Sequence, residues 1–164
     1  MKTPKKLKQL DIKLLILDVD GVLTDGKLYI SDKGVETKSF HVRDGIGLKL
    51  LLDNEIDIAI ISGRKSQATT KRLRDIGIKH AYYGIADKIK PFDELKKKLH
   101  LKNENIAYVG DDLPDLSVMQ KVGFSIAVAN STSEILKVAD YITKAKGGDG
   151  AVREACEIIL NSKL

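Results

Sequence analysis

Tryptophan is absent from this chain, and aromatic residues amount to only 5% of it. With no basic stretch interleaved with aromatics, there is nothing on which to stack bases. The single cysteine, Cys156, cannot form an intrachain disulfide. Its place in an apolar helical pattern marks it as a small core residue of a protein kept reduced, so a cytoplasmic location is expected. His41, His80 and His100 lack metal-ligand spacing. Long apolar runs are missing too. Aliphatic runs such as 14–17 and 58–61 reach four residues, against about twenty for a membrane span. Residues 1–13 show neither the apolar segment nor the small-residue cleavage site of a signal peptide. No membrane partner is expected.

Charge of one sign is scarcer than the totals suggest. Lys and Arg number 28 against 23 Asp and Glu, a net +5. Five lysines against Asp11 put +4 of this in residues 1–13, and the other 151 residues hold +1. Residues 1–12 therefore read as a solvated, mobile basic arm, and nucleic acid is not an expected partner. The 43% apolar and 31% charged composition is that of an ordinary globular chain. No linker or internal repeat is visible, so one domain over residues 1–164 is expected.

What is present is an alternation of strand and helix signals. Apolar runs at 14–19, 57–62, 106–109 and 124–128 have the length of strands buried on both faces. Helical periodicity covers 44–54, 66–76, 90–99, 113–122 and 133–139, and a last helix, 151–162, follows a glycine cluster at 147–150. Gly77 stops the second helix and Pro91 opens the third. Short strands are predicted at 80–83 and 141–143. Segments 27–30 and 35–40 flank Ser31-Asp32-Lys33-Gly34 as a β-hairpin. Repeated β-α-β units predict an α/β fold, a doubly wound parallel sheet in three layers. Such sheets bind ligands beyond the carboxyl ends of their strands, so the residues just after each strand are the candidates.

Those residues are rich in oxygen ligands. Asp18 and Asp20 follow the first strand, Ser62-Gly63-Arg64 a second, and Asp111, Asp112 and Asp115 a third, with Lys88 in between. Clustered carboxylates repel unless a cation or a shared proton compensates. Hard oxygen ligands without cysteine or histidine favour Mg²⁺. Ser62 and Lys88 suit the remaining oxygens of a phosphoryl group, an aspartate beside the metal suits a nucleophile, and Asp20 suits a general acid and base. Each piece also has a plainer account. Asp112 or Asp111 could cap the following helix, Ser62 could cap another, and Lys88 could be a solvated loop lysine. The plain accounts do not explain why the pieces recur in order, each after a strand.

The segment Asp18-Val19-Asp20-Gly21-Val22-Leu23-Thr24, with Ser62, Lys88 and Gly110-Asp111-Asp112-Leu113-Pro114-Asp115, resembles the four motifs of the haloacid dehalogenase (HAD) phosphatases. The resemblance implies Asp18 as nucleophile and Asp20 as general acid/base. It also implies Mg²⁺ on Asp18, the Asp20 carbonyl and Asp111, phosphate on Ser62 and Lys88, and Asp112 and Asp115 as supporting residues. Asp25-Gly26, the hairpin, the stretch from Phe40 to Gly45, Ser62-Gly63-Arg64 and the stretch from Gly147 to Glu154 resemble the 3-deoxy-D-manno-octulosonate 8-phosphate (KDO 8-phosphate) phosphatases more closely. That likeness implies a sugar-acid phosphate as substrate in lipopolysaccharide assembly. It further implies His41, Val42, Arg43, Asp44, Gly45, Arg64 and Arg72 near the substrate. Arginine suits both its carboxylate and its phosphate. Asp149 stands where many relatives carry a basic residue.

Spacing leaves no room for a lid domain. Only 41 residues separate Asp20 from Ser62 and 25 separate Ser62 from Lys88, and both intervals already hold predicted elements. A capless site needs cover from elsewhere. The resemblance implies a homotetramer in which the hairpin (26–41) and the tail (147–164) contact neighbouring subunits. Hydrolysis of a nine-carbon sugar-acid 9-phosphate, a non-catalytic oligomeric module and a nucleic-acid-end phosphatase are the alternatives.

Overall fold

A computed structural model describes residues 3–163. Eight strands and six helices follow one another as β1 (Leu14–Leu17), β2 (Tyr29–Ile30), β3 (Glu36–Thr37), α1 (Val42–Asp53), β4 (Asp57–Ile61), α2 (Gln67–Ile76), β5 (His80–Tyr82), α3 (Ile89–Lys98), β6 (Ile106–Gly110), α4 (Leu113–Met119), β7 (Phe124–Ala127), α5 (Ser133–Val138), β8 (Tyr141–Ile142) and α6 (Ala151–Ser162). The main sheet has the order β5-β4-β1-β6-β7-β8, and every pairing in it is parallel.

β1 is central and buried on both faces, which is why it reads as an unbroken apolar run. Its side chains alternate between two cores. Leu15 and Leu17 join Leu48, Leu51, Leu73, Cys156 and Ile158 on the α1, α2 and α6 side. Leu14 and Ile16 join Phe92, Leu95, Val118 and Ile135 on the α3, α4 and α5 side. Register then decides where the site forms. Leu17 is level with Ile60 of β4 and Val109 of β6, so the chain leaves all three strands at one rim. The α/β, three-layer doubly wound fold expected from the sequence is the one observed.

Two local expectations are corrected, and the glycine cluster is given its place. Residues 3–12 are not a loose arm. Leu7, in a 3-10 turn at Leu7–Gln9, and Ile12 are fully buried in the first core, and Lys6 pairs with Asp140 at 2.6 Å. The two apolar side chains anchor a segment whose lysines stay outside. Residues 1 and 2 of the expected arm lie outside the described residues. The first helix starts at Val42, two residues early, because its first turn packs on α6 and the buried Asp44 accepts the Arg153 N–H at 2.8 Å. The glycine tail is held within its own chain. The Gly148 N–H donates to Val22 O at 3.0 Å, and a Cβ on Gly147 would collide with Gly21 O. Gly147 and Gly148 are therefore packed against the turn after β1 of their own chain.

Candidate active site

A cleft of about 300 Å³ opens at the rim where β1, β4 and β6 end. It is lined by Asp18, Asp20, Gly26, Gly63, Arg64, Lys88, Asp111, Asp112 and Pro114. Asp18 is fixed by its own N–H, which extends the ladder to Val109 O at 3.1 Å. Gly21 follows at φ +92°, and a Cβ there would strike the Asp111 carboxylate, so the turn needs glycine both for its conformation and for the close approach.

Lys88 is the hub. Its side chain is 2% exposed, and its ammonium lies 3.0 Å from Asp18 Oδ1 and 2.7 Å from Asp115 Oδ1. Burial opposes its charge, and Asp115 and Asp18 more than restore it, so its pKa is raised. Asp115 is fully engaged. Oδ1 also accepts Tyr108 Oη–H at 2.5 Å, and Oδ2 accepts the Asp111 N–H at 3.0 Å and the Asp112 N–H at 3.4 Å. It is a brace that fixes Lys88 and the β6–α4 turn. Asp112 does what a plain reading allows, with Oδ1 accepting the Leu113 N–H at 2.8 Å as the cap of α4.

Asp111 is different. Its Oδ1 is buried with no hydrogen-bond partner among the described residues. Its carboxyl is pushed up to about 8, by burial first and then by Asp115 and Asp18. Asp18 is pushed up to about 6 by burial and by Asp115, against Lys88. One oxygen each of Asp18, Asp111 and Asp115 lie within 4.8 Å of one another. Three carboxylates against one ammonium leave two negative charges, which one divalent cation neutralises. With Asp115 already engaged, Asp18 and Asp111 are the carboxylates left to hold it, so the residues fit a hard cation such as Mg²⁺.

Ser62 is buried beside Gly63. It is held by its N–H to Tyr82 O at 2.9 Å, while its Oγ accepts the Arg64 N–H at 3.3 Å. The hydroxyl proton stays free to donate. The cleft of the single chain does not include residues 41–45 or Arg72. Arg43 lies in a separate hollow with Lys144 and Arg153. Arg72 packs over Gly45 and donates to His41 O at 3.4 Å. Val42 is exposed, and Asp44 is held by α6. The start of α1 packs instead on α6, through Asp44, and on α2, through Arg72.

Sequence reasoning missed Tyr108, Glu36 and Lys38. Tyr108 left no mark within a buried strand. Glu36 and Lys38 did leave one, as opposite charges two apart and so on one face of the second hairpin segment. Lys38 Nζ contacts Asp20 Oδ1, and Glu36 Oε2 accepts Arg64 Nη2 at 2.6 Å.

Residues 83–154 match the model of the haloacid dehalogenase-like hydrolases. The chain is 49% identical over 150 residues to the 3-deoxy-D-manno-octulosonate 8-phosphate phosphatase KdsC of Escherichia coli, covering 92% of this chain and 80% of that protein. The crystal structure of the Yersinia pestis 3-deoxy-D-manno-octulosonate 8-phosphate phosphatase superposes with a TM-score of 0.95 at 45% identity, covering 97% of this chain and 87% of the other. The Moraxella catarrhalis enzyme, in complex with magnesium ion, phosphate ion and KDO, superposes at 0.92 with 44% identity, covering 96% and 90%. An acidic trio braced by a lysine at the rim of a six-stranded parallel sheet, together with likeness over nearly the whole chain, has one consistent meaning: the chain belongs to the 3-deoxy-D-manno-octulosonate 8-phosphate phosphatase family of haloacid dehalogenase-like hydrolases.

Proposed function

We propose that this protein is a Mg²⁺-dependent phosphomonoesterase that hydrolyses KDO 8-phosphate to KDO and inorganic phosphate, a step of lipopolysaccharide assembly. The observation that carries this reading is the two-charge deficit around Asp18, Asp111, Asp115 and Lys88 beside an accessible Asp18 oxygen. Asp18, Asp111 and the Asp20 carbonyl would hold the cation, which when bound neutralises the carboxylates and polarises a phosphoryl oxygen.

The chain's own residues do the rest. A free Asp18 oxygen attacks phosphorus, the bond from phosphorus to the sugar oxygen breaks, and Asp20 gives that oxygen its proton. Asp20 then takes a proton from water as the water attacks the aspartyl-phosphate, which releases phosphate and restores Asp18. Ser62 donates to one phosphoryl oxygen, and the Lys88 ammonium faces another. Arg64, at the mouth of the cleft, suits a carboxylate bidentately. Phosphate release across KDO 8-phosphate, a nine-carbon sugar-acid 9-phosphate, hexose phosphates and a 3′-phosphorylated oligonucleotide tests the reading. KDO 8-phosphate should be preferred, EDTA should stop turnover and Mg²⁺ should restore it. Preference for the nine-carbon acid would reassign the substrate, and activity in EDTA would remove the metal.

The cleft is open, and nothing among the described residues of the single chain closes it. Leu28, Tyr29, Ile30 and Val35 of the hairpin are all exposed, which supports a homotetramer built on hairpin contacts. Sedimentation should give a single species of four chains. A fully active monomer would defeat subunit cover.

A further inference from the structure

Asp18 and Asp115 are held by several groups, whereas Asp20 has one. Among the described residues, the Lys38 ammonium is the only group that hydrogen-bonds the Asp20 carboxylate. Lys38 stands just past β3, and its side chain is 4% exposed. On its other side Nζ lies 3.2 Å from Glu36 Oε1, an ion pair without the alignment of a hydrogen bond. The second oxygen of Glu36 takes Arg64 at 2.6 Å. The charges thus alternate in sign from Asp20 through Lys38 and Glu36 to Arg64 at the mouth of the cleft. A buried ammonium needs partners in place of its hydration, and among the described residues the carboxylates of Asp20 and Glu36 are the charged groups that pair with it, so the two acids fix where Lys38 sits.

We propose that Lys38 is a positioning residue for Asp20. It holds the carboxylate in one orientation at the cleft wall, and Glu36 anchors the lysine there. The inference rests on the acid/base reading of Asp20. A half-exposed aspartate on a turn has several staggered orientations open to it, and misplacing a reacting group by about 1 Å costs as much as about 100-fold in rate. A single donor from the hairpin selects one orientation. The hairpin thereby acquires a task in the chemistry of its own subunit besides any contact between subunits.

Two esters separate this role from a structural one. A sugar phosphate expels an alkoxide that needs a proton, whereas p-nitrophenyl phosphate expels a phenolate that does not. Lys38→Met should lower turnover of the sugar-acid phosphate by roughly 10- to 100-fold. The burst of phenolate from p-nitrophenyl phosphate, which reports the first half-reaction alone, should change less than about threefold. Lys38→Arg should recover most of the loss. Glu36→Gln, which only loosens the anchor, should show a smaller loss of the same kind, and it decides the matter if Lys38→Met does not fold. Equal losses on both esters, or no loss on either, overturn the proposal. Asp20→Asn supplies the reference. If it fails to separate the two esters, the acid/base reading of Asp20 is wrong. If it separates them and the Lys38 and Glu36 variants do not, the positioning role alone is wrong.

Discussion

Asp18→Asn is expected to reduce phosphate release by at least about 10⁴-fold while the melting temperature holds or rises. The amide matches the carboxylate in shape but cannot attack phosphorus. The unusual part of the expectation is stability. Burial and the Asp115 charge push the Asp18 carboxyl up to about 6, so the fold disfavours the charge that the chemistry needs. Removing that charge relieves repulsion with Asp111 and Asp115, and Lys88 keeps its closer partner, Asp115 at 2.7 Å. Phosphate release and thermal melts in EDTA, run on the same preparation, check both halves. Near-normal turnover would take the nucleophile away from Asp18. A collapse in melting temperature would mean that Asp18 holds the rim together and not that the rim strains to hold Asp18.

The fold was legible because its central strands are buried on both faces. The run from Leu14 to Leu17 has no polar residue to mistake for a surface. Once β1 is central and parallel to β4 and β6, Asp18, Ser62 and Asp111 must meet, and the spacing along the chain sufficed to say so. Helix ends were less legible. The early start of α1 depends on Asp44 reaching the N-terminus of α6, 109 positions away in sequence, and no local pattern encodes such a partner. The N-terminal segment misled for a related reason. Its lysines dominate the composition, whereas two apolar side chains, Leu7 and Ile12, decide where it lies.

The site divides along the same line. Residues in the connections and helix starts after the main-sheet strands were found, and residues that reach the site from the hairpin or from within a strand were not. Lys38 arrives by way of the hairpin, and Tyr108 points from within β6 into the second core to meet Asp115. Asp112 and Asp111, neighbours of identical type, could not be told apart by sequence. One caps α4, and the other keeps a buried oxygen without a hydrogen-bond partner among the described residues. The stretch from His41 to Gly45 was carried to the substrate by resemblance alone, and in the single chain it faces α6 and Arg72 instead.

Lys88→Met is expected to be the most damaging change to the protein as a whole. It leaves Asp18 and Asp115 buried without their ammonium. Breaking a buried pair in this way costs about 3–5 kcal/mol, or roughly 10 °C in melting temperature for a chain of this size. Turnover should fall by about 10²- to 10³-fold with the loss of a cation at the phosphoryl group. Mg²⁺ should repair part of the stability, and more in the variant than in the wild type, because the charge deficit has grown. The pH dependence has a definite sign. In the metal-free fold Asp111 is held at about 8 and Asp18 at about 6, whereas unfolded aspartates titrate near about 4. Between these values the folded chain binds more protons than the unfolded one, so stability falls as pH rises through that window. A cation takes the place of those protons, and the gain in melting temperature from Mg²⁺ should therefore grow from about pH 6 to about pH 8. Melts of both proteins with EDTA or Mg²⁺ across that range measure all of this. A Lys88→Met protein as stable as the wild type in EDTA would mean that Tyr108 and the two backbone amides hold Asp115 unaided. The ammonium would then serve the phosphoryl group alone.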